Sequence, residues 1–236
     1  MKKFNIRKRC GFTLAEVLIT LGIIGVIAAI TIPALMNRTQ NREIVVAFKK
    51  EYSELSQAVL RLQMENGGMI AGGIGSNAAG LITTLQNYMN FSKVCSTNSY
   101  TEGCAGYVGL NAANLKMLNG NNYIWPSMFT IPGAVMQNGA IIVSFNFDAN
   151  CNGSGADVGI CATITIDVNG SKPPNIFGRD ILRIYLTSIG LIPAGSHGDE
   201  AVTTPATYGC RDSGTVDNSI VEGCAARILR EDAMNY

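Results

Sequence analysis

The chain has 236 residues, enough for one domain or a domain with an appendage. Hydrophobic residues make up 47% and charged residues 15%, with a formal net charge of +1. That excludes a strongly basic nucleic-acid binder and an acidic disordered tail, and a single histidine, His197, excludes a multi-histidine metal site. The neutral total hides an asymmetry: Lys2, Lys3, Arg7, Lys8 and Arg9 crowd the first nine positions, and beyond residue 11 the chain carries 13 basic and 17 acidic side chains, a charge of −4.

From Phe12 to Leu35 runs an apolar stretch of 24 residues with one charge, Glu16. A helix of that length spans roughly 36 Å, enough to cross a hydrocarbon core of about 30 Å. The preceding cations hold the N-terminus in the cytoplasm and send the remainder across. A cleaved secretory signal has a shorter apolar region, and no A-x-A site follows this one. A buried soluble helix leaves the five cations unexplained. Glu16 near the cytoplasmic end either snorkels or has a partner, and a cut between Gly11 and Phe12 would supply an α-amino group for it. Gly22, Gly25 and Pro33 lie within the stretch, at positions suited to close helix packing or local bending.

Gly11-Phe12-Thr13-Leu14-Ala15-Glu16, the basic leader, the unbroken apolar run and Pro33 resemble the N-terminus of type IV prepilins, shared by pilins and by type II secretion and competence pseudopilins. The resemblance covers roughly residues 2–40. It implies removal of leader 1–11 by a prepilin peptidase cutting after Gly11, N-methylation of Phe12, and use of Glu16 and Pro33 in subunit assembly. It also implies related pilin subunits and an inner-membrane assembly platform as partners, besides the lipid bilayer. The expected location is a single pass of the bacterial inner membrane, with the body periplasmic or, in a filament, extracellular.

Residues 12–36 are read as the transmembrane and filament-core part of the helix, and 37–66 as its amphipathic continuation. Ile44, Phe48, Tyr52, Leu55, Val59 and Leu62 recur at spacings of three and four, which predicts a stripe packed on a following domain. The stripe is too short for a sustained coiled coil. Lys49, Lys50, Glu51, Glu54, Arg61 and Glu65 are assigned to the other faces, and Gly67-Gly68 ends the helix.

Residues 67–236 form the predicted globular body, an α+β, pilin-like arrangement with a small antiparallel sheet over the helix stripe. Residues 67–80 read as loop, and Leu81, Ile82, Leu85, Tyr88 and Met89 as a short helix. Ala140–Phe147, Cys161–Val168 and Ile181–Thr187 read as strands. The tail Cys224–Tyr236 reads as a final strand or a short amphipathic piece. Removal of the leader takes Cys10 and leaves Cys95, Cys104, Cys151, Cys161, Cys210 and Cys224. Six cysteines permit about 15 pairings. The nearest-neighbour scheme is 95–104, 151–161 and 210–224, each bridge worth roughly 2.5–3 kcal/mol by loop entropy. No C-x₂₋₄-C spacing supports zinc.

Two loops raise calcium as a candidate. Asp148, Asn150 and Asn152 begin a D-x-N-x-N-G series, but Gly159 stands where a bidentate acid belongs. Asp167 to Asp180 (DVNGSKPPNIFGRD) places Asp167, Asn175 and Asp180 where they can bond loop amides; the structural reading is a self-satisfied loop. In major pseudopilins a C-terminal loop often binds calcium; Asp212 and Asp217 stand in the 210–224 segment without a ligand series. No cofactor is otherwise implied. No catalytic motif emerges, and His197 reads as a solvated loop residue.

The expected function is a structural subunit of a type IV pilus-like or type II secretion-like filament. The alternative is a membrane-anchored minor pilin acting as an adhesin or DNA-uptake module. The acidity of the body argues against nucleic acid. A tethered enzyme is a third reading, for which no residues stand out.

Overall fold

A computed structural model describes residues 13–105, 115–122, 131–145, 147–152, 159–196, 210 and 223–234. Two compact units divide between Gln40 and Asn41. The first helix, α1, runs Leu14–Glu65 and passes through Pro33. In the N-terminal unit an 18-residue window of mean hydropathy 2.5 has none of its residues buried, so this helix is long and apolar enough to cross a membrane. Its threonine hydroxyls do not stay unpaired. Thr20 donates to Val17 O, Thr31 to Ile27 O and Thr39 to Leu35 O, at 2.9–3.1 Å.

In the second unit the amphipathic stripe is buried as the spacing predicts. Ile44, Phe48, Leu55, Val59 and Leu62 enter the main core, with Tyr52 at its edge. Glu51 departs from the expectation: it is 1% exposed rather than on a solvated face. The helix ends where Gly67 and Gly68 take φ of +67° and +89°, and Gly68 N–H donates back to Gln63 O at 2.8 Å. A side chain at either glycine would be strained.

Next come α2 (Ala78–Leu85), β1 (Phe91–Cys95), β2 (Lys116–Met117), β3 (Gly133–Met136), β4 (Ile141–Phe145) and β5 (Ile160–Asp167). They are followed by β6 (Ile176–Phe177), β7 (Ile181–Thr187), β8 (Gly190–Pro193) and α3 (Cys224–Glu231). Helix α2 takes in the last three residues of the segment read as loop, because Asn77 caps it by accepting from Gly80 N–H at 2.8 Å. It also ends before Tyr88 and Met89, which lie in the following turn. The tail is a helix, not a strand, closed by Asp232 in the left-handed region.

The eight described strands form one sheet in the order β1-β3-β4-β5-β7-β6-β2, with β8 also paired to β7. Most pairs are antiparallel; β2–β6 and β6–β7 are parallel. The register sorts the two faces. Ile142, Ile166 and Leu182 align on one face, as do Ile164 and Ile184, and these join the core formed with α1. The other face carries Ile141, Asp167 and Ile181, then Val143, Thr165 and Arg183. It is covered too: Phe177, Met117 and Leu115 make a second cluster with Ile141, Val143 and Ile181. Arg183 is buried there, its guanidinium 5.0 Å from the Phe145 ring centre and 5.3 Å from that of Phe177.

The cysteines pair as Cys95–Cys104, Cys151–Cys161 and Cys210–Cys224, which is the nearest-neighbour scheme. The third bridge ties α3 to the preceding segment, and Arg227 adds a bond to Cys210 O at 3.0 Å. Lys49 of α1 meets Asp232 at 2.8 Å, an exposed pair of small energetic weight.

Candidate functional site

The head of α1 is the first place where chemistry concentrates. Thr13 is the N-cap and Glu16 the third helical residue. Thr13 N–H and its hydroxyl both donate to Glu16 Oε2 at 2.8 Å, while Glu16 N–H donates to Thr13 Oγ1 at 3.2 Å. This is a reciprocal capping box, which satisfies backbone donors that a helix otherwise leaves bare. It also gives the one carboxylate of the apolar run two donors within its own chain. The signal was present as T-x-x-E, and the sequence reading passed over Thr13. Gly11 and Phe12 lie outside the described residues, as do Cys10, His197, Asp212 and Asp217. Pro33 is exposed within the helix.

The loop acids accept from amides of their own turns. Asp148 uses both oxygens on its own turn, accepting from Asn150 N–H at 2.8 Å and Asn152 N–H at 3.0 Å. Asp180 is fully buried and accepts from Asn175 N–H at 2.8 Å and Ile176 N–H at 2.6 Å. Burial pushes its carboxyl up, against these amide bonds and the Asn169 side chain. Asp167 accepts from Asn169 N–H at 3.2 Å, and Gly170 next to it takes φ +67°. The excursion therefore closes on itself, and it holds the short strand β6 where the sequence predicts a loop. In the 95–104 disulfide loop Glu102 does the same work. The Thr97 hydroxyl, with the amides of Asn98, Thr97 and Ser96, pulls its carboxyl down to about 2. Among the described residues no group of three or more histidine, cysteine, aspartate or glutamate side chains is arranged to hold a metal.

Glu51 is the acid that sequence reasoning misplaced. Its Oε1 accepts from Asn138 Nδ2 at 2.6 Å, with Lys50 Nζ at 3.5 Å, and its Oε2 is buried with no hydrogen-bond partner among the described residues. Asn138 sits in the β3–β4 turn, so the bond crosses from helix to sheet. Burial pushes the Glu51 carboxyl up; the Lys50 ammonium opposes this and Glu54 reinforces it. A folded-state pKa above the unfolded value means that the native state binds more protons. The Glu51 contribution is thus most favourable below about 4.5, the unfolded value, and is lost as pH rises through the folded value. Glu51→Gln keeps an acceptor for Asn138 and removes the charge. Urea unfolding at several pH values is expected to show the variant gaining on the wild type from pH 4.5 toward neutrality. A pH-independent difference would contradict this.

Residues 6–32 match a family model described as the prokaryotic N-terminal methylation motif, the prepilin-type signature of type IV pilins and pseudopilins. Neither the curated proteins nor the solved structures compared with the chain give a match. With that signature at the head of a long apolar helix, and a mostly antiparallel, disulfide-bridged sheet after it, the architecture is α+β and pilin-like. The motif supports a type IV pilin- or pseudopilin-like protein, with processing by a prepilin peptidase and assembly with other pilin subunits.

Proposed function

We propose that the protein is a structural subunit of a type IV pilus-like or type II secretion-like filament. Prepilin peptidase removes residues 1–11, Phe12 is methylated, and the subunit is held by one inner-membrane pass with its body outside the cytoplasm. The observation that carries this reading is the motif over 6–32 heading a helix whose apolar window is wholly uncovered. Such a surface needs lipid or sister helices around it. Gly22 and Gly25 face open space on this helix, so these positions leave room for a neighbouring helix to approach closely.

Cleavage before Phe12 leaves an ammonium beside the positive end of the helix, four residues from Glu16. Assembly brings the Phe12 ammonium of one subunit to the Glu16 carboxylate of the next. The capping box keeps that carboxylate at the helix head in a defined orientation while it waits in the bilayer. Expression with a prepilin peptidase and assembly platform tests the reading. Filaments recovered by shearing and labelled by antibody against the body are the expected result; the chain found only as dispersed monomer would contradict it.

A further inference from the structure

A groove of about 300 Å³ lies between α1, the turn after α2 and the β3–β4 turn, within the second unit. That volume is at the lower end of the ~300–1,000 Å³ usual for small-molecule sites, so it fits a short ligand segment. Four carboxamides line it: Gln57, Asn90, Gln137 and Asn138. Ala58, Met89 and Met136 form an apolar, almost fully buried floor.

The polar groups of the groove fall into two sets. Glu54 also lines it, and its charge is met by Lys50 at 3.2 Å, with Glu51 at 3.5 Å from the same ammonium. The Tyr88 hydroxyl donates to Glu65 at 2.6 Å, and Asn138 is held by Glu51 and by Ala140 N–H. Those groups shape the wall. Arg61, Asn90 and Gln137 come from three different segments, and none of their side chains has a hydrogen-bond or ion-pair partner among the described residues. Gln57 spends its amide nitrogen on Ser53 Oγ at 3.2 Å and keeps its carbonyl oxygen.

Carboxamides donate and accept from one planar group, which is the pattern that neighbouring hydroxyls require. A polyphosphate would call for several unpaired cations, and an apolar helix for Leu and Val walls; the groove has neither. The one lining cation without a partner among the described residues is a guanidinium, whose forked donors match a single carboxylate. Methionine floors adapt to irregular apolar surfaces, such as the C–H face of a sugar ring. We propose that this groove binds an acidic oligosaccharide, with a uronate carboxylate on Arg61 and ring hydroxyls on Asn90, Gln137 and Gln57. The inference is independent of the filament reading.

Calorimetry on the full chain in detergent micelles tests it, with tetragalacturonate as the probe and cellotetraose and an acidic tetrapeptide as comparisons. Tetragalacturonate is expected to bind, and cellotetraose to bind about tenfold or more weakly for want of the charge-assisted contact. Arg61→Gln is expected to weaken tetragalacturonate by a similar factor, and Gln137→Ala by several-fold, with circular dichroism unchanged. No binding of tetragalacturonate by the wild type would overturn the proposal. So would binding unaffected by Arg61→Gln, cellotetraose binding as well as the uronate, or the acidic peptide binding as tightly.

Discussion

Glu16→Leu is expected to insert in the membrane and to be cut after Gly11 as the wild type is, yet to give little or no filament. Leucine lowers the cost of the helix in lipid, where a central carboxylate costs about 2.5–3.5 kcal/mol on insertion scales. Insertion therefore has no reason to fail. Assembly does, because the Phe12 ammonium of the neighbour is then left in an apolar core without its counter-charge. Removing one partner of a buried pair costs about 3–5 kcal/mol, or roughly 10²–10⁴ in the equilibrium for adding each subunit. Glu16→Leu also removes the capping acceptor of Thr13. Glu16→Gln separates the two effects, since its amide oxygen can accept from Thr13 N–H but carries no charge. If pairing is what drives assembly, both variants fail in the shearing assay while their cleaved forms accumulate in membranes. Filament from Glu16→Gln at wild-type yield would leave only the capping role.

Phe48→Ala is expected to be the most damaging change in the second unit. Phe48 is fully buried on α1, with its ring 6.2 Å from that of Tyr52, in the core shared with Ile142, Ile164 and Ile184. Truncating a buried phenylalanine costs about 3–5 kcal/mol through lost burial and the cavity left behind. That is a large part of the ~5–15 kcal/mol that holds a domain together. At about 2–4 °C per kcal/mol for a body of this size, Tm should fall by roughly 6–20 °C. Val46→Ala, two residues away and 61% exposed, is the control and should stay within about 0.5 kcal/mol. Thermal melts of the two variants in detergent compare them directly. Equal melting would mean that the stripe does not bear the load assigned to it.

The parts of the fold legible in the sequence are those where one local rule dominates. The apolar run, the stripe from Ile44 to Leu62 and the Gly67-Gly68 stop each follow from composition or period, and α1 ends at Glu65. Strand β7 coincides with the predicted Ile181–Thr187, because β-branched and aromatic residues fill it. Strands β1, β3 and β8 were not legible: FSKVC, GAVM and GLIP are short, and only their pairing partners make them strands. The two-residue strands β2 and β6 pair in parallel with each other across a long stretch of sequence, and β6 also pairs with the nearby β7.

Side-chain environments failed for the same reason. Helical period puts Glu51 beside Lys50 on a polar face, but not under Asn138, which is 87 residues away. Alternation puts Arg183 on the face opposite Leu182 and Ile184, without announcing that Phe145 and Phe177 cover it. At the N-terminal site the motif residues were readable one by one. The reciprocal Thr13–Glu16 bonding follows from the spacing only once capping is considered. The cysteine pairs are close in sequence, and the structure joins them in that order.

Intact-mass and N-terminal peptide spectrometry of the protein purified from membranes of its native host addresses the central claim most directly. The account requires a chain that begins at Phe12, carries one added methyl on its α-nitrogen and lacks residues 1–11. A chain that retains Met1 or the basic leader, or that begins beyond the apolar helix, would contradict it.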